Sequence, residues 1–262
     1  MTPSVIYPIF ASVFGMVVGS FLNVCICRMP KNESIVSPPS HCPLCSYQIR
    51  WYDNIPLLSY LLLQGKCRGC GAHISIQYPL VELLNGLLSL FLFLRFGPTL
   101  SFAVLFLFCS ALVVITFIDI EHQIIPDEIS LSGIVAGFVL SFFWEGHNWL
   151  NSLIGILLGG GSLLSVAYVY HRLTGKDGMG GGDIKLLAMM GAFLGWKAVP
   201  FIVFSSSLVG SVIGVSIMLF QKKDSKLAIP FGPYLAFGAV LYIFYGEPLI
   251  SWYLNLSGFR KG

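Results

Sequence analysis

Residues 97–119 read GPTLSFAVLFLFCSALVVITFID. Between Gly97 and Asp119 there is no charged side chain, and about 20 such apolar residues cross the hydrocarbon core of a bilayer. The run ends on a carboxylate. A second acid, Asp183, opens another apolar segment directly after Gly178-Met179-Gly180-Gly181-Gly182. An acid at membrane depth is costly and marks a functional site by default. Two of them in one small membrane protein suggest a pair that shares a proton, the arrangement that activates water for peptide-bond hydrolysis.

Working outward, the whole chain has this character. Of its 262 residues 56% are hydrophobic and only 10% charged, with a mean hydropathy of +0.81. Soluble domains carry about 25% charged residues, so the expected fold is an all-α polytopic membrane protein. Uncharged runs predict about eight transmembrane helices, near 5–27, 80–96, 98–118, 128–144, 149–170, 184–196, 198–220 and 228–252. Glycines paired at four-residue spacing, such as Gly15/Gly19, Gly155/Gly159 and Gly191/Gly195, predict close helix packing. No internal sequence repeat is evident. The net charge of +3, with no basic patch, excludes a nucleic-acid partner and leaves the lipid bilayer as the evident surroundings.

Residues 1–28 are expected to form a first transmembrane helix. Its start lacks the basic residues of a cleavable signal, and Arg28 and Lys31 follow it, which places the N-terminus outside the cytoplasm. On that orientation 11 of the 15 Lys and Arg fall in cytoplasmic segments, as the positive-inside rule requires. Two predicted spans separate Asp119 from Asp183, so both acids emerge on one face, the cytoplasmic one. The remaining divisions are a polar segment, 29–79, and a membrane core, 80–262, that carries both acids.

The polar segment is a small cytoplasmic module. Cys42-Pro-Leu-Cys45 is followed by Cys67-Arg-Gly-Cys70, two knuckles whose four thiolates suit a tetrahedral Zn²⁺. Four sulfurs close the coordination shell, so the zinc is expected to be structural. A reducing cytoplasm disfavours the alternative of two disulfides.

Around the first acid the chain reads Ile118-Asp119-Ile120-Glu121-His122, then Pro126-Asp127-Glu128. Asp119 follows directly on apolar residues and is the most desolvated choice. Asp127 and Glu128, just after a proline, suit the first turn of a new helix. At the second acid, Gly180, Gly181 and Gly182 leave backbone groups free to pair with an extended substrate strand. Lys185 is placed to pair with Asp183 or to reach the interface.

These features together resemble the type IV prepilin peptidases, which act as leader peptidase and N-methyltransferase. The resemblance runs through Gly19-Ser20-Phe21-Leu22-Asn23-Val24, Arg28-Met29-Pro30, both cysteine pairs, Arg50-Trp51-Tyr52-Asp53-Asn54-Ile55-Pro56 and Tyr78-Pro79-Leu80-Val81-Glu82. It continues in Asp119 with Pro126-Asp127 and in Gly180-Gly181-Gly182-Asp183. The Gly-x-Gly-Asp element alone is shared with presenilin-like intramembrane aspartyl proteases; the combination is specific.

The resemblance implies Asp119 and Asp183 as the catalytic pair and prepilins or pseudopilins as substrates. It implies a bacterial inner-membrane location with a periplasmic N-terminus, and S-adenosylmethionine as methyl donor. No glycine-rich dinucleotide fingerprint accounts for that donor. Arg28, Asp53, Asn54 and Glu82 are the candidates to contact it, with Arg28 also the expected ion-pair partner of Glu82. A peptidase-only intramembrane aspartyl protease leaves the cysteine module unexplained. An ion-coupled transporter would be expected to show inverted repeats. The oligomeric state is not legible.

Overall fold

The computed structural model describes residues 3–144, 147–176, 180–221 and 230–256, and these form helices and short turns without strands. Nine α-helices follow in order: α1 Pro3–Arg28, α2 Leu58–Leu62, α3 Gln77–Phe96, α4 Leu100–His122, α5 Asp127–Leu140, α6 Trp149–Thr174, α7 Gly181–Leu194, α8 Ala198–Gln221 and α9 Gly232–Leu256. Gly178 and Met179 lie outside the described residues, as do Lys222, Lys223 and Lys226 of the charge reading.

Six of these helices are long and apolar enough to cross a membrane: α1, α3, α4, α6, α8 and α9. The expectation of about eight spans counted α5 and α7 as well. Each has only 14 residues, or about 21 Å of helix against a core of about 30 Å. Their apolar composition has a different origin for α7. Every residue from Leu186 to Phe193 is buried, so α7 is sheathed by protein on all sides, and a helix in that position is apolar all round.

The chain divides into two compact units, Met1–Ile118 and Asp119–Gly262. In the first, α1 lies along α3, so residues 80–96 group with the N-terminal helix. Polar side chains cross this seam. Asn85 donates to the Gly15 carbonyl at 2.7 Å, Ser89 to that of Ala11 at 2.7 Å, and Ser110 of α4 donates to Asn85 at 2.9 Å. Such interhelical bonds contribute about 0.6 kcal/mol each within a bilayer.

In the second unit α7 packs on α5 and α6. Gly155 of α6 and Gly191 of α7 meet backbone to backbone, each occupying the space a side chain on the other would need. At the far end of α7 the Ala192 carbonyl accepts from Ser152 at 2.8 Å and contacts a His147 ring nitrogen at 3.1 Å. These two side chains satisfy a helix terminus buried away from water.

Candidate active site

Asp119 sits in the last turn of α4 and is the first residue of the second unit. It is only 5% exposed. One of its oxygens, Oδ2, accepts the backbone N–H of Gly232 at 2.9 Å. Gly232 begins α9 within the run Pro230-Phe231-Gly232-Pro233.

Asp183 lies in the first turn of α7, third after the N-cap residue Gly180, and is half-buried. Burial in the first place, and the negative charge of Asp119 in the second, push its carboxyl up to about 6. The charge of Asp119 is thus felt at Asp183, although the two lie on separate helices.

Two contacts join the segment that follows Asp119 to the start of α7, which carries Asp183. After Asp119 the chain turns through Gln123, whose φ is +56°, and lays Ile125 on Gly182. A Cβ added to that glycine would stand 2.9 Å from the Ile125 Cβ. One turn further along α7, the Lys185 ammonium binds both Asp127 oxygens, at 2.7 and 2.8 Å. Lys185 therefore pairs with Asp127 at the start of α5 and clamps that helix to α7. Glu121 and His122 are 4.0 Å apart on the exposed end of α4.

Gly180 and Gly181 differ from Gly182. Both are exposed, and a Cβ on Gly181 would meet nothing within 4 Å. At Gly180, which has extended dihedrals of −70° and 138°, the Cβ would meet only the Asp183 carboxyl at 3.6 Å. So Gly182 serves packing, while Gly180 and Gly181 leave open backbone beside Asp183.

Gly232 was not foreseen. The reading of 228–252 as one uninterrupted span passed over Pro-Phe-Gly-Pro, whose two prolines and glycine are the signal of a helix start.

In the first unit the four cysteines come together, their sulfurs all within 4.8 Å of one another. Cys42 and Cys70 are 3.9 Å apart, as are Cys45 and Cys67. Tetrahedral coordination at a metal–sulfur distance of about 2.3 Å sets sulfur atoms about 3.8 Å apart, so the thiols are arranged to hold a metal ion. All four are free of disulfides. Backbone N–H groups of Leu44 and Cys45 lower the Cys42 thiol to about 6, toward the thiolate that binds metal.

The two knuckles are copies of one another. Cys42 N–H donates to Tyr47 and Ser46 N–H returns to Cys42; Cys67 donates to Ala72 and Gly71 returns to Cys67. Single antiparallel bridges, His41 with Gln48 and Lys66 with His73, close them. This C-x-x-C-x-x-x-I unit at 42–49 and 67–74 is a short repeat that the sequence reading missed, because only the cysteines and one isoleucine coincide.

The candidate cofactor residues have local partners. Arg28 donates to the carbonyls of Ser34 and Pro38 at 2.9 and 2.8 Å, rather than to Glu82. Asp53 is held by Arg68, 2.7 Å away, and by Tyr47. Asn54 accepts from Ser20 of α1 at 3.3 Å. Glu82, buried, accepts the N–H of Leu57 at 2.8 Å.

The Bacterial Peptidase A24 N-terminal domain matches residues 13–96, and the Type IV leader peptidase family matches residues 106–215. A prepilin leader peptidase/N-methyltransferase of Pseudomonas aeruginosa is 38% identical, over 94% of this chain and 93% of its own length. The chain belongs to the type IV leader peptidase family. Proteins of the same description from Xanthomonas campestris pv. campestris and Aeromonas hydrophila are 40% and 38% identical, covering 95% and 92% of this chain and the same shares of their own lengths. No solved structure matches. As a leader peptidase family member with six apolar helices of spanning length, the protein is a multi-pass membrane protein.

Proposed function

We propose that the protein cleaves the leader of type IV prepilins or pseudopilins and then N-methylates the residue it exposes. The observation that carries the reading is the joining of the segment after Asp119 to the start of α7, through Ile125 on Gly182 and Lys185 on Asp127, in a chain whose relatives bear both activities in their names.

Hydrolysis needs no covalent intermediate. An ionised carboxylate takes a proton from water as the oxygen attacks the scissile carbonyl, and the protonated partner donates to the carbonyl oxygen. The tetrahedral diol collapses, the C–N bond breaks and the leaving amine takes up a proton. Two carboxylates that share one site cannot both ionise cheaply, so one carries the proton while the other accepts. The open backbone at Gly180 and Gly181 is suited to an extended substrate strand running past Asp183. The leader, short and basic, would lie in the cytoplasm of a bacterium with the N-terminus of the enzyme in the periplasm. Cleavage would follow a glycine just ahead of the apolar helix of the pilin, in type IV pilus or type II secretion assembly.

The freed amine is the methyl acceptor. S-adenosylmethionine, when bound, supplies the methyl group. Of the four candidate residues Asp53 and Arg28 are engaged in holding the module itself. Asn54 and Glu82, which both reach Ser20 of α1, are the pair that fits contact with the donor's polar groups. The cysteine cluster suits structural Zn²⁺, which ties together about 50 residues with little apolar surface of their own.

The test is mass spectrometry of a synthetic prepilin incubated with the membrane-reconstituted enzyme and S-adenosylmethionine. Loss of the leader and gain of one methyl group on the new N-terminus are expected. An intact substrate would refute the reading, and leader loss without methylation would reduce the protein to a peptidase.

A further inference from the structure

The two acids of the proposed pair are not equivalent in their surroundings. Asp119 is buried and receives a direct backbone hydrogen bond from Gly232. Among the described residues no donor reaches the Asp183 carboxyl.

The donor at Gly232 is built by its neighbours. Phe231 is the residue before α9, and its carbonyl already accepts the N–H groups of Tyr234 and Leu235, both at 3.1 Å. Pro233 has no N–H at all. Gly232 therefore carries the first-turn N–H of α9 left without a helical acceptor. It stands at the positive end of a 25-residue helix, where an anion is stabilised. A side chain here would displace the carboxylate, because a Cβ would lie 2.7 Å from Asp119 Oδ2 and 3.3 Å from its Cγ. The sequence Pro-Phe-Gly-Pro thus removes one competing donor, caps two others and clears the space for a carboxylate.

We propose that the backbone N–H of Gly232 is a positioning group that keeps Asp119 as the ionised, proton-accepting member of the pair, so that Asp183 carries the shared proton and donates it to the scissile carbonyl. This rests on the aspartate-pair reading above and assigns the roles that the reading leaves open. Asp183 also lies in the first turn of a helix, but it feels that terminus only through the field. A direct N–H bond to a charged acceptor is the stronger of the two effects. Hydrolysis then runs in one direction: a water proton goes to Asp119 and the Asp183 proton to the carbonyl oxygen; as the diol collapses and the C–N bond breaks, Asp119 protonates the departing amine and a diol hydroxyl returns its proton to Asp183, which restores the pair.

Among the described residues the other titratable groups on these elements near the acids are Lys185 on α7, Asp127 and Glu128 on α5, Glu121 and His122 on α4 itself, and Tyr234 on α9. Lys185 and Asp127 neutralise each other. Glu121, His122 and Glu128 are exposed or nearly so.

The experiment follows kcat/KM for prepilin cleavage against pH in the full-length enzyme in lipid nanodiscs. Gly232→glycolic acid, made by cell-free synthesis, turns the donating N–H into an ester oxygen without adding bulk. Losing a donor to the ionised form raises the pKa of the base, so the acidic limb is expected to move up by about one pH unit while the basic limb stays. An acidic limb that does not move, or a basic limb that moves in its place, overturns the assignment. Gly232→Ala is expected to lower cleavage by about 100-fold or more while methylation of an already cleaved pilin continues, which shows the chain is folded. Cleavage by Gly232→Ala at the normal rate overturns it too. A wild-type enzyme that does not cleave would refute the proposed function itself; an active enzyme with an unshifted profile would refute only the role of Gly232.

Discussion

The cysteine cluster and the aspartate pair are assembled in opposite ways. In the first unit each pair of ligands is three residues apart, and each knuckle closes its own backbone bonds, Cys42 with Tyr47 and Cys67 with Ala72. Local geometry does most of the work, and the four thiols of the two halves are grouped as a metal ion would need them. In the second unit the acids come from the end of one helix and the start of another, and the groups that place them are more distant still. Gly232 reaches Asp119 from 113 residues away, and Lys185 reaches Asp127 from 58. A site built from local turns tolerates change elsewhere in the chain. A site built at helix ends depends on every packing contact that sets those ends.

The sharpest way to break this contrast is at the acids. Asp119→Asn and Asp183→Asn are each expected to reduce prepilin cleavage by about 10³-fold or more, with metal content and methylation of a cleaved pilin retained. A variant that cleaves normally, measured by leader release on a gel, would remove that residue from the pair.

The converse change is at the thiols. Cys42→Ser or Cys67→Ser is expected to abolish stoichiometric metal, because binding at such sites supplies about 10–16 kcal/mol that is also folding free energy. Limited proteolysis should then cut within 29–79, and methylation should fall while cleavage persists. Loss of both activities together would show that the two units are not independent.

A third test uses pH to expose what burial does to Asp183. Its carboxyl is raised from 3.8 to about 6, first by burial and then by Asp119. The folded state therefore binds its proton more tightly than the unfolded chain does, and stability is lost as pH rises from about 4 through about 6. Asp183→Asn, which cannot ionise, is expected to raise the Tm at pH 7, and the advantage should disappear below pH 4. An equal Tm difference at both pH values would show that the asparagine acts by another route.

The smallest effect belongs to the clamp. Lys185 and Asp127 are both substantially exposed, and such pairs contribute about 0.2–1 kcal/mol. Lys185→Met is expected to lower Tm by no more than a few degrees, but to reduce kcat by about threefold to tenfold, since a small misplacement of α7 displaces Asp183. A stability loss with unchanged kcat would make the clamp purely structural.

The difference between the two regions also governs what could be read in advance. The metal cluster was legible because its ligands recur at fixed short spacing. Asp119 and Asp183 stood out as candidates because a carboxylate next to an apolar run is chemically conspicuous. Gly232 was not, since a glycine in an apolar stretch carries no chemical mark, and its role arises only when α9 begins beside Asp119. Arg28 and Glu82 were an obvious charge pair in one dimension. In the fold Arg28 turns to the carbonyls of Ser34 and Pro38, and Glu82 takes a backbone N–H.

What the amino-acid order determined by itself was the class of molecule, its apolar helices, the four thiols and the two acids, all properties of composition and short-range pattern. Tertiary structure alone decided that the 14 residues of α7 are enclosed by protein, and which backbone amide meets which carboxylate. Periodicity reports that a segment avoids water. It does not distinguish lipid from protein as the surroundings, and hydrogen bonds at helix ends depend on where other helices happen to begin.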